Sequence, residues 1–166
     1  MTKETYEKMT QPFRDNPKLA KSLHIANKIL ETIVFLSYLL LLAGLFWKRD
    51  ENLLRVILVP LDGVIIVSVI RYMINRPRPY EKFETEPVIK KDTKGKSFPS
   101  RHIFSSAVIA LTFFAVPGYL WIGAALLFCA VLLAVIRVVS GVHFISDVIA
   151  GFAFAAICAA IGMLFF

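Results

Sequence analysis

His143 and Asp147 stand four residues apart, a spacing that puts two side chains on one helical face, one turn from each other. A carboxylate hydrogen-bonded to one imidazole nitrogen fixes the tautomer and frees the other nitrogen as a nucleophile or base. A second histidine, His102, follows Pro99-Ser100-Arg101, and further arginines stand at Arg71, Arg76, Arg78 and Arg137. Three or four guanidiniums with helix N–H groups make a socket for a dianion with three equatorial oxygens, which describes a phosphoryl group. The two histidines would supply the nucleophile and the proton donor. No cluster of carboxylates suggests Mg²⁺ and no His/Cys grouping suggests zinc, so no metal and no cofactor is expected. The chemistry that fits is metal-independent phosphoryl transfer through a phosphohistidine, resolved by water.

Such residues need elements to hold them, and the composition says those elements lie in a membrane. Hydrophobic residues make up 57% of the 166 residues, and Lys+Arg 19 against Asp+Glu 12 gives +7. Mean hydropathy is +0.67. These values exclude a disordered chain and a soluble basic nucleic-acid binder. Cys129 and Cys158 both sit in apolar runs, which excludes a disulfide scaffold. What remains is an all-α, polytopic membrane bundle of about five transmembrane helices with an amino-terminal interfacial segment.

The spans follow from apolar runs of roughly 20 residues, the helical length that crosses about 30 Å of hydrocarbon. They run from about Ile29 to Trp47, Leu53 to Asn75, and His143 to Phe166, with two more between Ile103 and Ile136. The last stretch would be about 51 Å long as one helix, and Pro117-Gly118 near its middle signals a hairpin. Residues 1–28 form a polar segment, plausibly amphipathic over Lys3 to Asn27 and not a cleavable leader; 29–166 form the membrane domain. Arg76 to Arg101 is a polar loop carrying eight of the 19 basic residues, long enough to be either functional or disordered.

Five spans put the amino terminus, that loop and the 137–143 turn on one face. Arg71, Arg76, Arg78, Arg101, His102, Arg137, His143 and Asp147 all gather there. Singly, each has an ordinary explanation: Arg71 snorkelling, Ser100 capping, Arg137 complementing a helix dipole, His143 and Asp147 opening a helix. Clustered near membrane depth, where ionisable groups are expensive, they define a site.

Three blocks of this set resemble the type-2 phosphatidic acid phosphatase superfamily, membrane lipid phosphatases that share a core with vanadium haloperoxidases. Arg71-Tyr-Met-Ile-Asn-Arg-Pro-Arg78-Pro79 matches the first block, Pro99-Ser100-Arg101-His102 the second, and Arg137-Val-Val-Ser-Gly-Val-His143-Phe-Ile-Ser-Asp147 the third. The resemblance covers about residues 53 to 166. It implies that His143 attacks phosphorus, Asp147 orients it, and His102 protonates the leaving oxygen. Arg71, Arg78, Arg137, Ser100 and backbone N–H groups near Arg101 would hold the phosphate, with Arg101 as a further contact. The chain departs from the family's usual residues at Arg71 (Lys), Arg101 (Gly) and Ile136 (Ser), and in having five spans where six are common.

The implied partners are a membrane lipid phosphate and the bilayer, with no nucleic acid; oligomeric state is not readable. Substrate classes in view are undecaprenyl diphosphate, phosphatidylglycerol phosphate and phosphatidic acid. A lipid phosphotransferase on the same site and a non-catalytic lipid-binding scaffold are the alternatives. The chain is expected in the cell membrane as a multi-pass protein. Leaving out Arg71, Arg78, Arg101 and Arg137, the site face still holds 12 Lys/Arg against 3, which points to the cytosol. Many family members act on the outer face, so the side stays open. Asp62 is expected to pair with a polar group between helices. Arg76 reads as a headgroup contact or solvated charge, and Glu31, His24 and the Lys90–Lys96 run as interfacial or solvated.

Overall fold

The computed structural model describes all residues except Asp92 and Phe166, with side chains given through Gly162. It is helical: α1 (Lys3–Arg14), α2 (Pro17–Lys48), α3 (Leu53–Ile74), the short α4 (Pro79–Lys82), α5 (Arg101–Phe114), α6 (Leu120–Val139) and α7 (Ile145–Phe165). Four of these are long and apolar enough to cross a membrane, and α5 is a shorter apolar helix. Together they are the five helices of the bundle.

Local chemistry sets the boundaries. Asn16 caps α2, its side chain accepting from Lys18 N at 3.0 Å and Leu19 N at 3.3 Å, and Pro17 occupies the first turn, where no N–H is needed. The helix then continues unbroken for 32 residues, about 48 Å, through the 28/29 boundary expected from composition. Asn75, in the left-handed conformation, ends α3. Gly118, at φ +87, makes the tight turn of the α5–α6 hairpin.

At the centre stands α5, packed on α2, α3, α6 and α7. Ile103, Phe104, Ala107, Val108 and Ala110 are buried along it. Gly63 of α3 lets Phe104 approach where a Cβ would collide with its ring. Its central place explains why most of the circumference of α5, Ser106 and Thr112 included, is buried. Asp62, by contrast, is exposed on α3, and no hydrogen bond or ion pair joins it among the described residues, so the expected interhelical pairing is not formed.

The amino-terminal segment is structured and docked. Tyr6 of α1 is 1% exposed, and its hydroxyl donates to the carbonyl of Gly141 at 3.4 Å. Its ring lies 5.2 Å from Phe83, which meets Phe144 edge-on at 6.2 Å. Gly141 sits at φ +73, and a Cβ there would strike the Tyr6 ring, so only glycine satisfies both backbone and packing. Burial pushes the Tyr6 phenol above its usual range.

Candidate active site

Every residue singled out by spacing lies at one end of the bundle. Arg71 closes α3, Arg78 precedes α4, Ser100 to His102 open α5, Arg137 closes α6, and His143 and Asp147 flank the start of α7. Arg71, Arg78, Ser100, Arg137, His143 and Asp147 are all buried, while His102 is partly exposed and Arg101 exposed.

Asp147 is the anchor. It is 0% exposed; Oδ2 accepts from Ser97 Oγ at 2.5 Å and Phe144 N at 2.9 Å, and Oδ1 accepts from Arg76 Nη1 at 2.8 Å. His143 Nδ1 faces Oδ2 at 3.5 Å, longer than a well-formed hydrogen bond. Burial first, then the charges of Arg78 and Arg137, push the His143 imidazole down to about 4 against the pull of Asp147. The ring is therefore neutral at physiological pH, the state a nucleophile needs.

The arginines are held by carbonyl groups. Arg71 donates to the Pro99 carbonyl, and Arg78 donates to Gly95 O at 3.1 Å and Val142 O at 3.3 Å. Among the described residues neither is salt-bridged to a carboxylate. Ser100 occupies the N-cap position of α5, yet its side chain makes no cap bond, and its buried hydroxyl has no hydrogen-bond partner among the described residues. Arg71, Arg78, Arg101 and His102 share the wall of a cavity of about 280 Å³.

A family model described as the PAP2 superfamily matches residues 52–166, more than half of the chain. The chain belongs to the PAP2 superfamily.

As a PAP2 protein it is a multi-pass membrane phosphatase acting, in the broad class, on lipid phosphates. The crystal structure of LpxE from Aquifex aeolicus is similar at 25% identity and TM-score 0.75, covering 98% of this chain and 94% of that one. The crystal structure of the first transmembrane PAP2-type phosphatidylglycerolphosphate phosphatase from Bacillus subtilis covers 98% of this chain and 84% of that one. At 20% identity and TM-score 0.73, it speaks for the fold alone. No curated protein matches.

Three residues of this PAP2 site, Ser97, Glu31 and Lys91, escaped the sequence reading, and a fourth, Arg76, was placed on the site face without its partner. Arg76, partly exposed, is more than a solvated charge: it is bonded to Asp147 and to Ser146 Oγ, each at 2.8 Å, and stacked 4.4 Å over Phe144. Ser97 supports the same carboxylate. Glu31 of α2 is not simply interfacial, because its Oε1 lies 3.7 Å from His102 Nε2 and 3.7 Å from Arg137 Nη2. Lys91 is half-buried against the cavity, whereas Lys90, Lys94 and Lys96 are exposed as expected of that run, and so is His24. The signal that could have found Glu31 was charge balance: a carboxylate at a span edge, on a face crowded with cations. Among the described residues no group of three or more His, Cys, Asp or Glu comes together as a metal site would require.

Proposed function

We propose that the chain hydrolyses a phosphomonoester or diphosphate of a membrane lipid, without a metal, through a phosphohistidine on His143. The observation that carries this reading is the buried cation excess: Arg71, Arg78 and Arg137 lie around a buried histidine–aspartate pair, and among the described residues no carboxylate is bonded to them closer than Glu31 at 3.7 Å. Buried charge is costly unless paired, so such a socket is built for an anion. His143 Nε2 attacks phosphorus while the bond from phosphorus to the leaving oxygen breaks, the lipid oxygen in a monoester or the bridging oxygen in a diphosphate. His102 gives its proton to that oxygen. Water then cleaves the N–P bond, releasing inorganic phosphate and returning the proton to the histidines.

A tailed substrate is supported by what lies beside His102. A cavity of about 280 Å³ bounded by Glu31, Arg101 and His102 shares Phe35, Ser105 and Ile109 with an apolar cavity of about 390 Å³ between α2, α3 and α5. A headgroup at the polar end leaves a hydrocarbon chain against Tyr38, Pro60 and Val64. Undecaprenyl diphosphate, phosphatidylglycerol phosphate and phosphatidic acid all have this form.

The test is phosphate release from a panel of these lipids in detergent micelles with excess EDTA. Release undiminished by EDTA is expected, with the rank order naming the headgroup. Loss of release on chelation overturns metal independence, and transfer to an added lipid acceptor without free phosphate points to a phosphotransferase.

Glu31 gives a second check. Its Oε1 lies 3.7 Å from His102 Nε2, close enough to orient the ring that is to protonate the leaving oxygen. Glu31→Gln is expected to lower kcat/KM about tenfold for alkyl phosphates and much less for an aryl phosphate, whose leaving group needs little protonation. Equal loss for both would mean that Glu31 serves Arg137 and not the proton donor.

A further inference from the structure

Lys91 is a cation beyond those a single phosphoryl group requires. Arg71, Arg78, Arg137, Ser100 and backbone N–H groups near Arg101 are already the donors that the family resemblance assigns to one phosphoryl group. Lys91 stands on the loop wall of the same cavity as Arg71 and Arg78, beside Thr93 and Lys96, and the Lys96 ammonium lies 5.0 Å over the Tyr72 ring. The loop that carries it is pinned on both sides. Val88 N donates to Ser140 O at 3.0 Å and Ile89 is buried before it; Gly95 N donates to the Glu81 carboxylate at 2.9 Å, and Ser97 is tied to Asp147, after it. These anchors on either side bring Lys91 to the cavity wall. Among the described residues no salt bridge draws it away.

We propose that Lys91, flanked by Thr93 and Lys96, holds a second anionic group of the substrate, the phosphate that is not transferred, so that this site prefers diphosphate to monophosphate headgroups. The proposal rests on the reading of the cavity as a phosphate socket and adds to it a headgroup class. Burial first, then the charges of Arg137, Arg78 and Arg71, push the Lys91 ammonium down to about 8, with Glu31 opposing. A second negative group beside it would restore the proton.

The test is calorimetric binding of methylenediphosphonate and of methylphosphonate to the detergent-solubilised protein with excess EDTA. Wild type is expected to bind the diphosphonate about tenfold more tightly or better, and Lys91→Gln to remove that advantage while moving methylphosphonate by less than about twofold. Lys91→Arg should keep the preference. The gap between wild type and Lys91→Gln should also shrink as pH rises through about 8, where Lys91 loses its proton. Equal affinity of wild type for the two ligands, or equal weakening of both by Lys91→Gln, overturns the proposal and leaves the phosphate socket standing. No binding of either ligand by wild type overturns the socket and this proposal with it.

Discussion

His143→Ala is expected to remove lipid phosphate hydrolysis, with a fall of about 10⁴-fold or more in kcat, because a covalent route has no substitute for its nucleophile. The side chain is 1% exposed, neutral, and faces Asp147 through Nδ1, which leaves Nε2 as the attacking nitrogen. Two measurements separate this from misfolding. Methylphosphonate binding should persist in the variant, because Arg71, Arg78 and Arg137 are held by α3, the loop before α4, and α6. An acid-labile phosphoenzyme, trapped from labelled substrate by rapid quenching of wild type, should vanish in it. Hydrolysis that survives His143→Ala at more than about a hundredth of wild type would mean direct attack by water, and the phosphohistidine would be abandoned.

Asp147→Asn is expected to lower kcat by about 10³–10⁴, the range for a buried carboxylate that fixes the tautomer of a catalytic histidine. An amide in its place can present N–H to Nδ1 and hold the ring in the wrong tautomer. The same change weakens the fold, since Oδ1 accepts from Arg76 and Oδ2 from Ser97 and the Phe144 N–H. Neutralising this buried carboxylate leaves the partly exposed Arg76 without its counter-ion, so the melting temperature should fall too. Arg76→Gln separates the two effects: it breaks the same ion pair and should cost stability while retaining most of kcat. If Arg76→Gln loses as much activity as Asp147→Asn, the carboxylate acts through the loop it anchors and not through His143.

The helix-borne part of this site was legible because the required spacings are short. His143 and Asp147 sit one turn apart, and Arg71, Ser100 and Arg137 stand where an apolar run starts or stops. What the reading missed is long-range or lies in the loop. Arg76 meets Asp147 across 71 residues and Ser97 meets it across 50, with no periodicity to mark either contact. Lys91 lies within a basic run in which its neighbours are solvated, so composition could not single it out. The start of α2 was legible in principle, since Asn16-Pro17 is a capped helix opening, but a search keyed to hydropathy finds only the apolar stretch beyond Lys28. Asp62 taught the converse: a carboxylate inside an apolar run does not by itself announce a partner.

The family match begins at residue 52, yet two contacts that shape the site come from before it. Glu31 faces His102 and Arg137 from α2, and Tyr6 of α1 is wedged beneath Gly141, two residues from His143. The smallest working unit is therefore larger than the unit that family likeness outlines. A chain begun at residue 52 would keep every motif residue and lose both the carboxylate beside His102 and the buttress under the loop that carries His143.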